Sequence, residues 1–170
     1  LTDVTGVQTC ALPIFDRIDR EIIKHLQKDG RISNTDMAKA IDISEATVRT
    51  RLSKLIDEEV IQIVAVSNPL KLGFNVVGHL RIHVEIGRID QVAAQLKNIQ
   101  ALWFIVITSG ASTGIDAEFN VESMADLNEL VLNQVGNISG VKSVETTLTL
   151  DFVKRRYNWG TGFDRGDEVL

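Results

Sequence analysis

Three groups of residues in this chain of 170 could do chemistry by their type and spacing. The first is Ala46, Thr47, Arg49, Thr50, Ser53 and Lys54, which recur on one side of a helical stretch. That side is small, hydroxylic and basic. Arg and Lys reach phosphates or guanine, and Thr and Ser reach bases or backbone, so such a face suits the major groove of a duplex. Ser33 and Thr35 from the preceding helix, and Ser44, Glu45 and Arg51 from the same one, complete this candidate contact set. The second group is the loop from Thr108 through Ser109, Gly110, Ser112, Thr113 and Gly114 to Asp116. It offers hydroxyls, backbone amides and a carboxylate, which suit a zwitterion, or it is a plain hairpin loop. The third is the pair His79 and His83. Four residues apart on one strand face they stand roughly 13 Å apart, too far to chelate one metal or form one acid–base pair. No Ser–His–Asp set, phosphate loop or zinc spacing occurs. No catalytic residue, metal ligand or cofactor is therefore assigned.

The element that must position the first group spans residues 31–61. Ser33 is an N-cap, and Asp36 sits at the third helical position, where a carboxylate answers free amides. Met37, Ala38 and Ile41 give a short helix its apolar stripe. Asp42 falls in the turn, at a position expected to be left-handed, where Asp is tolerated better than most side chains. Ser44 caps the next helix, whose inward positions are Val48, Leu52, Leu55 and Ile56. A solvated helical hairpin fits this stretch as well as a helix-turn-helix does. A first helix over residues 15–29, inward through Ile18, Ile22, Ile23 and Leu26 and stopped by Gly30, turns the hairpin into a three-helix unit.

Composition bounds the alternatives. The charged fraction of 24% and hydrophobic fraction of 44% are those of a globular protein, and no apolar run approaches a membrane span. Net charge is −5. Over residues 15–66, 9 Lys and Arg oppose 10 Asp and Glu, so affinity for DNA must come from a local face and not from a bulk field. Residues 44–56 hold three basic groups against one acid, a modest excess that two copies on one duplex would reinforce. One cysteine, Cys10, leaves no intrachain disulfide and suits a reducing cytoplasm.

Taken in order, residues 1–14 read as a non-native leader, since residues 4–14 look like a translated sequencing adapter. A natural N-terminal arm is the alternative, and a signal peptide is disfavoured because the segment lacks a basic start and an apolar core. Residues 15–66 form the helical unit. Within it, residues 60–66 have strand character, as a wing or a connector, ended at Asn68 and Pro69. Residues 67–75 are a linker. From 76 to 154 the pattern becomes strand (79–86), helix (90–99), strand (102–108), strand (115–121), helix (123–138) and strand (144–153). The second strand is apolar on both faces, as for a covered strand. The last is expected to be buried through Val144, Thr146, Leu148, Leu150 and Phe152. This β-α-β-β-α-β order is the ferredoxin-like plan, an antiparallel sheet with both helices on one face. Residues 155–170 are a tail, docked in part by Tyr157 and Trp159. The fold class is thus α+β: an N-terminal winged helix-turn-helix and a C-terminal ferredoxin-like domain.

Four stretches resemble one family. FDRIDREIIKHLQKDGRIS, RTRLSKLIDEEVI, SNPLKLGF and GVKSVETTLTLD are similar to the opening, recognition-helix end, linker and last-strand signatures of the Lrp/AsnC (feast/famine) transcriptional regulators. The resemblance covers residues 15 to about 154. Asp42 stands where many members carry Gly, and the 108–116 loop is longer and differently spaced than the usual compact turn. The resemblance implies a cytoplasmic regulator that binds double-stranded DNA. It further implies a dimer through the ferredoxin-like domains, assembled in some members into octamers, and a small effector, usually an amino acid, bound between domains. The helix-free sheet face, with His79, Arg81, His83, Glu85, Glu118, Asn120, Glu122, Glu145, Thr147, Thr149 and Asp151, is too polar for a dry core. It is either solvated or a wet, partly charge-paired interface, and the resemblance favours the interface. Two other readings stay open: an enzyme similar to sirohaem decarboxylases of the same architecture, and a ligand sensor or co-regulator without DNA affinity.

Overall fold

The computed structural model describes residues 16–109 and 114–161. The described residues divide into two compact units: residues 16–65 together with 154–161, and the described part of residues 66–153. The leader with residue 15, and residues 110–113 and 162–170, lie outside the described residues.

In the helical unit, α1 (Arg17–Lys28), α2 (Asn34–Ile41) and α3 (Glu45–Asp57) start where short polar side chains meet free amides. Asp16 caps α1 by accepting from the amides of Ile18 and Asp19, and Asp19 reaches back to the Asp16 amide. Ser33 caps α2 through the Asp36 amide, and Ser44 caps α3 through the Thr47 amide. Asp42 ends α2 in the left-handed region, at φ 60° and ψ 52°, as its place in the turn predicts. Ile22, Ile23, Met37, Ala38, Val48 and Leu55 form the core. Ile56, expected inside, is exposed. It lies about 80° round the helix from Val48, whereas Leu55 lies within about 20° of it.

Residues 61–68 form no strand, contrary to expectation. A strand needs a ladder partner, and this segment has none among the described residues. Ile63, Val64 and Val66 are exposed.

The second unit begins with a 3-10 turn (Pro69–Leu72) and continues β1 (Val76–Val84), α4 (Ile89–Leu96), β2 (Leu102–Thr108), β3 (Gly114–Val121), α5 (Met124–Asn128) and β4 (Val141–Leu148). The antiparallel sheet has the order β2-β3-β1-β4 expected of a ferredoxin-like plan. Leu80, Ile82, Val92, Leu96, Ile115, Phe119, Leu130 and Val135 fill its core. Past Asn128, α5 continues as a π-helix over Glu129–Val135, with the Gly136 amide donating to the Val131 carbonyl five residues back. Leu130 and Val135 are five apart, about 140° on an α-helix, and the wider winding turns both inward.

Three strand expectations need correction. β1 ends at Val84, so Ile86 is exposed in a turn. β4 stops at Leu148, opposite Gly78, with one further bond from the Thr149 amide to the Val77 carbonyl; Leu150 is exposed, and Thr146, Leu148 and Phe152 are not buried. β2 is a sheet edge, not a covered strand, and Trp103, Phe104 and Ile107 face solvent. Trp103 is the extra residue of a bulge, since Leu102 pairs with Phe119 and Phe104 with Glu118.

Candidate nucleic-acid interface

The α3 helix keeps one stripe in the core and turns the other outward. Val48 is 0% and Leu55 2% exposed, while Ala46, Arg49, Thr50, Ser53 and Lys54 are exposed. Thr47 is half-buried, and its hydroxyl lies 2.7 Å from Ser44 Oγ at the cap. The Thr50 hydroxyl donates to the Ala46 carbonyl at 3.0 Å, which leaves its methyl group and lone pairs outward.

Each basic group of α3 already has a carboxylate. Arg49 Nη2 lies 2.7 Å from Glu45 Oε1, and Lys54 Nζ lies 3.9 Å from Glu58. Glu45 also accepts from the Thr35 hydroxyl at 2.9 Å, which joins α2 to α3. That hydroxyl and the Arg49 guanidinium hold the Glu45 carboxyl below its usual range. Arg51 is different in kind. Its Nη1 donates to Asp16 Oδ2 at 2.6 Å and to Asp19 Oδ1 at 3.0 Å, and its side chain is 29% exposed. Both carboxylates raise its basicity further. Burial pushes the Asp16 carboxyl up, but the Asp19 amide and Arg51 outweigh that and hold it down. Arg51 thus ties α3 to the start of α1, whereas Arg49 pairs within α3 and Lys54 with the residue that caps its end. Ser33 is engaged with Asp36, and Thr35 with Glu45.

Asp16 and Asp19 escaped the sequence reading as partners of the interface. The Asp-x-x-Asp capping box was their visible signal; the bond to Arg51, 35 residues away, had none.

The candidate effector loop is only partly described. Thr108 pairs with Gly114 at the hairpin base, with its hydroxyl 3.4 Å from the Gly114 carbonyl, and Ser109 is exposed. Gly110, Ser112 and Thr113 lie outside the described residues. Asp116 faces the helix-free side and holds Arg81 through two bonds of 3.0 and 3.2 Å. Arg81 keeps the Asp116 carboxyl below its usual range. On the same face His83 Nε2 lies 2.9 Å from Glu145, and His79 sits between Glu118 and Thr147. Among the described residues no three His, Cys, Asp or Glu side chains are placed to hold a metal, and no helix is long and apolar enough to cross a membrane.

Comparison with known proteins matches both units. Residues 15–62 match a winged helix-turn-helix DNA-binding model, and residues 79–159 match an Lrp/AsnC ligand binding domain model. An HTH-type transcriptional regulator of Pyrococcus furiosus is 33% identical over 148 residues, which are 86% of this chain and 97% of the relative. The regulator LrpA of Pyrococcus horikoshii is 30% identical over 142 residues, 83% of this chain and 100% of LrpA. Among solved structures, E. coli AsnC superposes with a TM-score of 0.75 at 22% identity, covering 85% of this chain and 98% of AsnC. A Neisseria meningitidis transcriptional regulator in complex with L-Met superposes with a TM-score of 0.76 at 19% identity, covering 89% of this chain and 98% of the regulator.

Proposed function

The chain belongs to the Lrp/AsnC family of DNA-binding helix-turn-helix transcriptional regulators, and from that premise we propose that it reads operator DNA as a dimer and answers to a small zwitterion, an amino acid. The observation that carries the DNA reading is the outward face of α3, where Arg49, Thr50, Ser53 and Lys54 stand in solvent above a buried Val48 and Leu55. We assign base and phosphate contacts to Ala46, Thr47, Arg49, Thr50 and Lys54, with Ser33, Thr35 and Ser44 at the flanks. Arg51 and Glu45 serve to position that face. Two such helices in a dimer meet successive major grooves, so half-sites lie about 10 base pairs apart. Such a regulator works in the cytoplasm, beside the chromosome.

Self-association is supported by the exposed apolar edge at Trp103, Phe104 and Ile107, next to the charge-paired face of Arg81, Asp116, His83 and Glu145. The effector reading rests on the match of residues 79–159 to a ligand-binding domain and on the L-Met bound by the Neisseria regulator. An effector acts by binding one assembly geometry more tightly than another.

The test is selection of genomic fragments by the full chain, with and without a panel of amino acids. We expect a short palindromic motif whose binding shifts with one or a few amino acids. An Arg49→Ala/Lys54→Ala variant that binds the selected fragment as tightly as the wild type overturns the assigned face. Absence of any enriched fragment overturns the DNA reading and leaves a ligand sensor.

A further inference from the structure

We infer that residues 154–159, Lys-Arg-Arg-Tyr-Asn-Trp, are a second DNA-contacting element that rides on the helix-turn-helix unit and engages backbone phosphates beside the site read by α3. This inference rests on the DNA-binding reading above.

The first observation is a charge deficit. Residues 16–65 hold nine Lys and Arg against ten Asp and Glu, and all three cations of α3 are already paired with carboxylates of this chain. A polyanion of one charge per about 1.7 Å gains little from such a surface alone. The segment 154–161 brings three cations and no acid, so residues 16–65 and 154–161 together carry +2; in the sequence that follows, residues 162–170 add one Arg against two Asp and one Glu. Among the described residues Lys154 and Arg156 are exposed and form no ion pair.

The second observation is where the segment goes. It groups with the helices and not with the sheet it follows. The Gln27 side-chain amide on α1 clamps Gly160 from both sides: Nε2 donates to the Gly160 carbonyl at 3.0 Å, and Oε1 accepts from the Gly160 amide at 2.9 Å. Gly160 adopts φ 79°, a conformation that suits glycine. Tyr157 and Trp159 lie 6.2 Å apart between rings, and the Arg155 guanidinium donates to the Tyr157 hydroxyl at 3.1 Å. The cations are therefore held on the helical unit and travel with it.

The experiment measures binding of the full chain to a labelled 30-base-pair duplex of mixed sequence between about 50 and 200 mM salt. Wild type is compared with Lys154→Gln/Arg156→Gln, with Gln27→Ala and with Arg49→Ala/Lys54→Ala. Losing two phosphate contacts makes the log–log salt slope shallower by about 1.8 per protomer, so the affinity gap to wild type closes about 12-fold across that range. Gln27→Ala, which frees the anchor but keeps the charges, weakens binding with its slope retained. An unchanged slope in the Lys154→Gln/Arg156→Gln variant overturns the inference; if Arg49→Ala/Lys54→Ala still weakens binding, the helix-turn-helix reading survives. A tail variant that lowers only the thermal midpoint assigns these cations to the fold and overturns it too. A wild type that binds no duplex removes both readings.

Discussion

Arg51 on the third helix and Asp19 on the first are joined by a 3.0 Å ion pair, and the same Arg51 nitrogen lies 2.6 Å from Asp16, the residue that caps the first helix. One guanidinium thereby fixes the recognition helix to the helix behind it. Charge-assisted bonds of this kind exceed neutral ones, but these are partly exposed and screened. Arg51→Ala should lower the stability of the helical unit by about 1–2 kcal/mol, read from urea denaturation. Arg51→Lys should recover only part, because an ammonium is not a planar fork. Below the unfolding temperature either variant should bind DNA nearly as wild type. A tenfold loss of affinity without loss of stability would make Arg51 a direct contact.

Glu45 restrains Arg49 at 2.7 Å, so on the proposed reading DNA competes with it for the guanidinium. Glu45→Gln keeps an oxygen for the Thr35 hydroxyl and removes the charge. We expect affinity for a mixed-sequence duplex to rise a few-fold at low salt, at a small stability cost, since an acid in the first turn favours the helix dipole. Weaker binding in a gel shift would show that Glu45 holds Arg49 in its reading pose.

The carboxyls of Asp16, Glu45 and Asp116 are held below their ordinary range by amides, a hydroxyl and guanidinia. Their bonds stabilise the fold fully above the ordinary carboxylate value near about 4, and that contribution is lost as pH falls through the lower folded values. The denaturation midpoint should be flat from about pH 5 to 8 with respect to these groups and fall below about pH 4. Asp116→Asn should flatten the acid limb of the sheet unit. An acid limb as steep as wild type in that variant would mean that Asp116 does not contribute.

Gly78 lies where β1 runs between β3 and β4, opposite Phe119 and Leu148. A Cβ there would stand 2.1 Å from the Thr147 carbonyl and 3.0 Å from the Phe119 ring. Gly78→Ala should therefore destabilise the sheet by about 1–3 kcal/mol, by forcing β4 outward. A thermal midpoint unchanged from wild type would show that the sheet yields at no cost.

Much of this architecture was legible because it rests on local chemistry. Ser33 and Ser44 announce helix starts since their hydroxyls bond amides three residues on, and Asp42 announces a left-handed turn by its tolerance of that backbone. Alternation through Leu80, Ile82, Ile115, Ala117 and Phe119 marks a strand face because successive side chains point oppositely. The motifs at 15–33 and 49–61 carried the family likeness for the same reason.

The remainder depended on what meets what across the chain. Ile86, Leu150 and Phe152 continue an apolar alternation past the end of the sheet, and only the pairing of strands in the fold decides where the ladder stops. β2 reads as a covered strand yet sits at an edge, because strand order is a property of the whole sheet. Arg49 and Arg51 are the same residue type two positions apart on a surface helix. The sequence by itself determined that both are cationic and helical. Only the tertiary structure turned one toward the carboxylates of α1 and left the other on the outer face, because an ion pair between residues 51 and 19 exists only once three helices have packed.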